Sequence, residues 1–207
     1  MAKILRIDSS SRQQNSHSRE IADFFQTIWL KKYPNDEVIV RDIVQTEIPH
    51  ISDVTIAGYY TPKEQHSEQM KLATSLSDAL IDELLSVDVL LLSVPMYNFS
   101  VPSVLKAWID QIVRIGKTFS YDGKSFNGLV TGKRAYVICA YGAGGYTQNG
   151  QMAVFNFLEP YLKLLLNFLG ILDVHFFAIE ATTGDEATVI TNKELVRKEI
   201  EKAITAS

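Results

Sequence analysis

Two stretches carry side chains whose types and spacing could do chemistry. The first is Asp8-Ser9-Ser10-Ser11-Arg12-Gln13-Gln14-Asn15-Ser16-His17-Ser18. It follows a predicted strand, Lys3 to Ile7, and precedes a helical pattern with Ile21, Phe24, Phe25, Ile28 and Trp29 on one face. Strand, hydroxyl-rich loop and helix start together form an anion cradle. The first backbone N–H groups of a helix carry partial positive charge, and serine hydroxyls add donors for phosphate oxygens. Neither G-x-G-x-x-G nor G-x-x-x-x-G-K-[ST] occurs here, which argues against a standard dinucleotide fold or a P-loop NTPase. Serine and asparagine in place of glycine suit a single terminal phosphate, as in a mononucleotide. A simpler role, Ser16 as a plain helix cap in a polar loop, is the alternative for some of these residues.

The second stretch is Ser93-Val94-Pro95-Met96-Tyr97-Asn98-Phe99-Ser100, at the end of the apolar run Val89-Leu90-Leu91-Leu92. A solvated connection favours Gly, Asp and Ser, yet Met96, Tyr97 and Phe99 here surround one amide, Asn98. Ligands of open α/β sheets bind beyond the carboxyl ends of the strands. An aromatic loop at that place can hold a flat ring on its side chains and backbone N–H groups; packing of Tyr97 and Phe99 onto neighbouring helices is the competing explanation. A glycine-rich turn, Tyr141-Gly142-Ala143-Gly144-Gly145-Tyr146, follows another apolar run, Arg134 to Ala140, and lets the backbone approach a ligand closely.

The elements that must position these loops are legible as alternating patterns. The run Val89–Leu92 is that of a strand buried on both faces of a parallel sheet. Further strands are predicted at Glu37 to Val40 and Val174 to Ile179. Residues 50–62 are expected to be irregular. Pro62 is expected to open a helix to about Leu85, with Met70, Ala73, Leu76, Leu80, Leu84 and Leu85 as its buried stripe. Pro102 is placed in the first turn of a helix carrying Leu105, Trp108, Ile109, Ile112 and Val113. A hairpin is expected around Gly116 to Gly123, an apolar helical region from Phe155 to Leu169 kinked or restarted at Pro160, and a closing helix from Asn192 to Ala206. The βαβαβαβαβα alternation predicts a single α/β domain over residues 1–207, a doubly wound five-stranded parallel sheet with helices on both faces.

Bulk properties narrow the function. The chain has 207 residues, 46% hydrophobic and 21% charged, with a net charge of −4, as expected of a soluble globular protein. No basic patch is present, so nucleic acid is not an expected partner. Cys139, the one cysteine, sits in an apolar run and reads as a buried packing thiol, which leaves no disulfide within the chain and no Cys/His metal site. No apolar run approaches the ~20 residues needed to span a bilayer. The start of the chain is too short and charged for a signal peptide, so a cytoplasmic location is expected. Surplus apolar surface on Phe155 to Leu169, with Trp108 and Ile112, predicts a homodimer with a ligand site between subunits. A hydrolase using Ser9, Ser10 or Ser11 with His17 is a rival, although no G-x-S-x-G elbow occurs. The remaining histidines, His50, His66 and His175, are scattered and read as structural or solvated.

Three segments also carry a family resemblance: Pro95-Met96-Tyr97-Asn98-Phe99; Pro102 with Leu105-Lys106-Ala107-Trp108-Ile109-Asp110; and Lys117-Thr118-Phe119-Ser120-Tyr121. Together they resemble the FMN-dependent NADH-azoreductases, homodimeric flavodoxin-like enzymes related to the NAD(P)H-quinone reductases. The serine-rich loop, Pro160-Tyr161-Leu162 and Phe168-Leu169-Gly170-Ile171 match as well, so the resemblance covers essentially the whole chain. It implies tightly but non-covalently bound FMN with its phosphate on Ser10, Ser16, His17 and Ser18. The isoalloxazine would rest against Pro95, Met96, Tyr97, Asn98 and Phe99, its polar edge near Ala140, Tyr141, Gly142, Ala143 and Gly144. The substrate pocket would include Asn98, Tyr121 from the partner subunit, and Leu165 where relatives carry an aromatic. Many relatives have Ser/Thr-Arg-Gly-Gly after the fourth strand; this chain lacks that arginine.

The implied activity is ping-pong: NADH passes a hydride to flavin N5, then a quinone is reduced by two electrons, or an azo compound is cleaved in two rounds to aromatic amines. The chemistry sits on the cofactor, so no side chain is nominated as catalytic; backbone N–H groups near Tyr97–Phe99 and Gly144 are expected at the ring's N5, O4 and O2. The rival within the same fold is a flavodoxin-like electron carrier or FMN-binding protein, against which the aromatic pocket and the modest charge of −4 count.

Overall fold

In chain order the elements are β1 (Lys3–Asp8), α1 (His17–Lys32), β2 (Glu37–Asp42), α2 (Asp53–Tyr60), α3 (Glu68–Leu85), β3 (Val89–Pro95), α4 (Ser103–Ile112), β4 (Phe119–Tyr121), β5 (Phe126–Gly128), β6 (Arg134–Ala140), α5 (Glu159–Leu169), β7 (Asp173–Ile179) and α6 (Glu186–Ala206). This computed structural model describes residues 1–147 and 150–206; Ser207, the end of the predicted domain, lies outside them. Five strands form a sheet in the order β2-β1-β3-β6-β7, and every pairing in it is parallel. β4 and β5 form a separate antiparallel hairpin.

The apolar run at 89–92 is the centre of the sheet because both of its faces find cover. Leu90, Leu92 and Val94 pack with Leu80, Leu84, Leu105, Trp108, Leu162 and Leu166 from α3, α4 and α5. Val89 and Leu91 face the other way, onto Ile21, Phe25 and Trp29 of α1 and Val196 and Ile200 of α6. All seven residues of β3 are buried, which is why that strand shows no polar alternation. Chain direction then creates the site. From β1 the chain crosses by way of α1 to β2 on one side of it, whereas β3 lies on the other. Their outgoing loops diverge and leave a crevice at the carboxyl ends. Ser9 stitches the crevice floor, donating both its N–H and its hydroxyl to the Ser93 carbonyl at 3.1 and 2.8 Å.

Several boundaries differ from the sequence expectation. Residues 50–62 are not all irregular, since α2 occupies Asp53–Tyr60. Ser52 and Thr55 cap it reciprocally, with threonine where the usual box has Glu or Gln. Its glycine reads locally as a breaker, but Gly58 is where α2 crosses α3: a Cβ there would sit 2.6 Å from Thr74 Cγ2. Pro62 consequently leads only into a single turn at Lys63–Gln65, and α3 starts after Ser67, whose hydroxyl accepts the Met70 N–H. The buried face of α3 is Thr74, Ser77, Leu80, Ile81 and Leu84, while Leu85 is exposed. Of the two expectations at Pro160, the restart holds and the kink does not: after a separate turn at Ala153–Phe155, Pro160 lies in the first turn of α5, where a missing N–H costs nothing. The closing helix begins at Glu186 rather than Asn192, behind Asp185, which accepts the Thr188 N–H at 2.9 Å. Trp108 and Ile112 are spent inside the chain's own core, 2% and 1% exposed, and so supply no surface for a partner. Cys139 is buried, and desolvation pushes its thiol far up.

The β4–β5 hairpin docks on the end of α5 through a close backbone approach. Val130 N–H donates to the Leu169 carbonyl at 2.8 Å, and a Cβ on Gly128 would fall 2.3 Å from Gly170 N. Gly128→Ala is therefore expected to cost about 1–3 kcal/mol through overpacking against rigid backbone, a fall of several degrees in Tm for a chain of this size. Differential scanning calorimetry measures it; an unchanged Tm would mean that the hairpin is not held there.

Candidate functional site

The loop after β1 enters α1 through Asn15, which takes the left-handed conformation (φ 55°) that asparagine tolerates. Ser16 is the N-cap, its hydroxyl accepting the Arg19 N–H at 3.5 Å. The N–H groups of the first turn have no intrahelical carbonyl within reach. Ser10, Ser16 and Ser18 are buried. Together with Arg12, Asn15 and His17 they line one wall of a groove of about 200 Å³. Its other wall is Pro95, Met96, Tyr97, Ala140, Gly142, Thr182 and Thr183. The Ser10 hydroxyl accepts the Arg12 N–H at 3.3 Å, and the Ser16 and Ser18 hydroxyls lie 3.4 Å apart. His17 Nδ1 is buried without a hydrogen-bond partner. Burial, reinforced by the Lys193 charge, holds the His17 imidazole below its usual range.

The aromatic loop is a tight two-residue turn. Tyr97 and Ser100 exchange backbone hydrogen bonds at 3.0 and 3.1 Å, and Asn98 (φ 49°) and Phe99 (φ 73°) are both left-handed between them. That conformation strongly favours Asn-Gly, so phenylalanine at the second position is held under strain. What holds it is visible: the Phe99 carbonyl accepts the Phe157 N–H at 3.1 Å, and its ring lies 5.6 Å from Phe155. The Asn98 and Phe99 N–H groups take no part in the turn's own hydrogen bonds. Tyr97 also reaches the first loop, its hydroxyl accepting the Ser11 N–H at 3.3 Å. A wider concavity of about 570 Å³ opens beside the turn, lined by Tyr97, Asn98, Ser100, Val101, Ser103, Lys106 and Tyr161.

The glycine-rich loop behaves differently from its sequence reading. The Glu180 carboxylate accepts the N–H groups of Gly145, Tyr146 and Thr147 at 3.3, 2.6 and 2.9 Å. Those amides are thus committed within the chain. Tyr141 continues the strand alternation inward: it is fully buried, stacks on Tyr146 at 5.4 Å, and its hydroxyl accepts from Asn156 at 3.3 Å. Ala143 gives its carbonyl to the Ala181 N–H at 3.1 Å. Gly144 faces a separate concavity with Thr147, Glu159 and Glu180. Of the five residues expected there, Ala140 and Gly142 line the groove. Tyr121 is half exposed with its ring 4.8 Å from Phe126, and Leu165 lines a small void in the core with Trp108 and Ile109. Neither reaches the groove within its own chain.

Sequence reasoning missed Thr182 and Thr183 as groove residues, and it named Arg12 and Asn15 only as members of the hydroxyl-rich loop. The two threonines were findable, because they follow the last predicted strand at the same end of the sheet. Their hydroxyls donate to the Tyr141 and Gly142 carbonyls, both at 2.9 Å, which pins the glycine loop beside the groove. A concavity of about 530 Å³ at the opposite end of the sheet, lined by Asp88, Lys133, Arg134 and Asp173, lies away from the strand ends where such sheets place ligands. The hydrolase alternative lacks its pair: Ser9 donates into β3, and His17 Nδ1 contacts no hydroxyl. Among the described residues, no group of three or more His, Cys, Asp or Glu side chains could hold a metal ion, and no helix is long and apolar enough to cross a membrane.

A parallel doubly wound sheet with its groove between β1 and β3 defines a flavodoxin-like protein, and residues 2–203 match a family described as having a flavodoxin-like fold. The chain is 49% identical to a protein of Xanthobacter autotrophicus over 84% of each chain. It is 47% identical to one of Hydrogenovibrio crunogenus, over 91% of this chain and 93% of that one. Both carry the name FMN-dependent NADH:quinone oxidoreductase. The chain belongs to that family of flavodoxin-like FMN-dependent NADH:quinone oxidoreductases. Among solved structures, an azoreductase from Bacillus anthracis superposes with a TM-score of 0.91 at 22% identity over 100% of both chains. An FMN-dependent NADH-azoreductase from the same species, solved in complex with FMN, gives 0.86 at 23% identity over 99% of this chain and 98% of that one. At that identity they share the fold.

The lowered pKa of His17 has a consequence for the ligand-free chain. Between its folded value and the unfolded 6.5 the unfolded state binds more protons, so this group's contribution is complete above pH 6.5 and is lost on acidification. His17→Gln is expected to lose less stability than the wild type between pH 7.5 and 5, measured as urea midpoints; equal losses would place His17 in solvent.

Proposed function

We propose that the chain is an FMN-dependent NADH:quinone oxidoreductase that also reduces azo compounds. The carrying observation is the juxtaposition, across one groove, of a hydroxyl-rich cradle at the α1 N-terminus and the strained Tyr97–Ser100 turn at the end of β3. The residues fit the cofactor at both ends. The buried hydroxyls of Ser10, Ser16 and Ser18, the unpartnered His17 Nδ1 and the first-turn amides suit a phosphate. Pro95, Met96 and Tyr97 in the groove wall, with Phe99 beside them, would offer an apolar seat for a flat ring, and the uncommitted Asn98 and Phe99 amides would be available to its polar atoms.

When bound, FMN supplies the two-electron chemistry between NADH and the acceptor. The chain's own part is binding and orientation. The α1 cradle would hold the phosphate oxygens, with Arg12 at the rim. Ala140 and Gly142, which line the groove, would border the ring's polar edge, and the turn would offer its donors there without reorganisation. The open concavity beside Asn98, with Lys106 and Tyr161, is where a nicotinamide or a flat acceptor would stack in turn. No side chain is required to move a proton at the first transfer.

The proposal includes a single domain over residues 1–207, a cytoplasmic location and a homodimer. Supporting the dimer is the apolar surface left outside the core: Val154 is 71% exposed, Phe157 59%, Leu164 71% and Phe126 60%. Such residues grouped around α5 and the hairpin mark an association surface. Tyr121 would then border the partner's pocket, whereas Leu165 stays with its own core.

The test is a visible spectrum after FMN addition and desalting, followed by anaerobic NADH and then a quinone. Flavin bands that are retained, bleach with NADH and recover with quinone are expected. Bands that are retained but do not bleach would turn the reading to an electron carrier, and no retained flavin would overturn it. Light scattering at micromolar concentration is expected to give twice the chain mass; a monomer would remove the dimer.

A further inference from the structure

The groove residues leave one partly buried side chain of the same region without a role. Arg19, on the first turn of α1, has a side-chain exposure of 13% and sits behind the loop rather than in the groove. Its Nη1 donates to Asp42 Oδ2 at 2.7 Å and reaches Asp8 Oδ2 at 3.4 Å; its Nη2 donates to Asp42 Oδ1 at 3.0 Å and to the Ser10 carbonyl at 2.8 Å. One guanidinium thus joins the last residue of β1, the last residue of β2 and the cradle loop. The carboxylates are themselves fixed. Asp42 Oδ1 accepts the Val44 N–H at 3.0 Å, and Asp8 Oδ1 accepts from Arg6 Nε at 3.1 Å. Arg6 is anchored in turn on Asp23 at 2.6 Å and Gln26 at 3.1 Å.

A planar trans peptide points its C=O and N–H in opposite directions. The Ser10–Ser11 peptide is therefore held at both ends, its carbonyl on Arg19 and its N–H on the Tyr97 hydroxyl. With that plane fixed, the buried Ser10 hydroxyl and the Arg12 segment are aimed into the groove.

Resting on the FMN reading above, we propose that Arg19 is a positioning residue. It clamps the Ser10 carbonyl against the Asp8–Asp42 pair and thereby sets the loop to select a phosphorylated flavin over an unphosphorylated one. It acts through geometry and not as a free positive charge, because both of its ends are already matched by carboxylates. Burial works against the Arg19 charge, but the Asp42 bond and the Asp8 field outweigh it, so the clamp stays charged across the working pH range.

The experiment titrates cofactor-free wild type, Arg19→Gln, Arg19→Lys and Asp42→Asn with FMN and with riboflavin, read as quenching of flavin fluorescence. Thermal midpoints of the cofactor-free proteins are taken alongside. Arg19→Gln and Asp42→Asn are each expected to weaken FMN about tenfold or more, the range for a hydrogen bond to a charged group, and riboflavin by no more than about threefold. Arg19→Lys, which keeps the charge but loses the fork, is expected to fall between. Asp42→Asn separates geometry from charge: removing a negative group near the phosphate would tighten FMN if Arg19 worked only as a cation. Tighter FMN in that variant, equal loss of both flavins, or unchanged FMN affinity in Arg19→Gln would overturn the proposal. Should Arg19→Gln not fold, Arg19→Lys and Asp42→Asn decide it by the same ratio. A wild type that binds neither flavin overturns the functional reading itself, and is recognised because no ratio can be formed.

Discussion

β1 and β3 are adjacent parallel strands whose outgoing chains turn to opposite faces of the sheet, and the rest of the structure depends on that divergence. The helix after β1 packs on the Phe25 and Trp29 face, the helix after β3 on the Leu105 and Trp108 face. A crevice is left where the two loops part, floored by the Ser9–Ser93 hydrogen bonds. Both groups of apolar residues must be satisfied at once for the crevice to exist. β3 meets this condition by being apolar throughout, so that either face can be covered.

Charge is handled in the same place and by the same two strands. Arg6 and Asp8 are buried on β1, 5% and 3% exposed, and they cost desolvation that only close pairing repays. Their pairing runs through Arg19 to Asp42, so the ends of β1 and β2 are tied by charge-assisted bonds at the rim of the groove. Removing one member of such a set leaves a buried charge uncompensated, at about 3–5 kcal/mol. A groove wall built this way is stiff, as a preorganised donor set must be. In the turn that follows the opposite wall's Tyr97, stiffness is reached by strain: Phe99 is held left-handed by its contacts with residues 155–157.

The surface around α5 shows how apolar content divides between core and solvent-facing surface. Leu162, Leu166 and Leu169 point into the sheet, and Leu164 and Phe157 point out. Residues that look like surplus in sequence, Trp108 and Ile112, are consumed by the core. The exposed set instead comes from the segment before α5 and from the hairpin that Gly128 docks on its far end.

By itself the sequence determined the alternation of strands and helices, the buried central strand, and the two loops that meet at the groove. Each of these is a local matter: an apolar run, a hydroxyl cluster before a helical pattern, an aromatic cluster after a strand. The tertiary structure decided where the intermediate pieces end and which loop atoms remain uncommitted. α2 was invisible because its helix depends on a Ser52–Thr55 cap and on a glycine that only makes sense against Thr74. The glycine loop looked like a row of free amides, and Glu180, some 33–35 residues later, takes three of them. Tyr141 looked like a groove residue and lies in the core, while Thr182 and Thr183 reach the groove from the far end of β7. Hydrogen bonds between residues distant in sequence carry no local signature, and they are what divides a loop that binds from a loop that only supports.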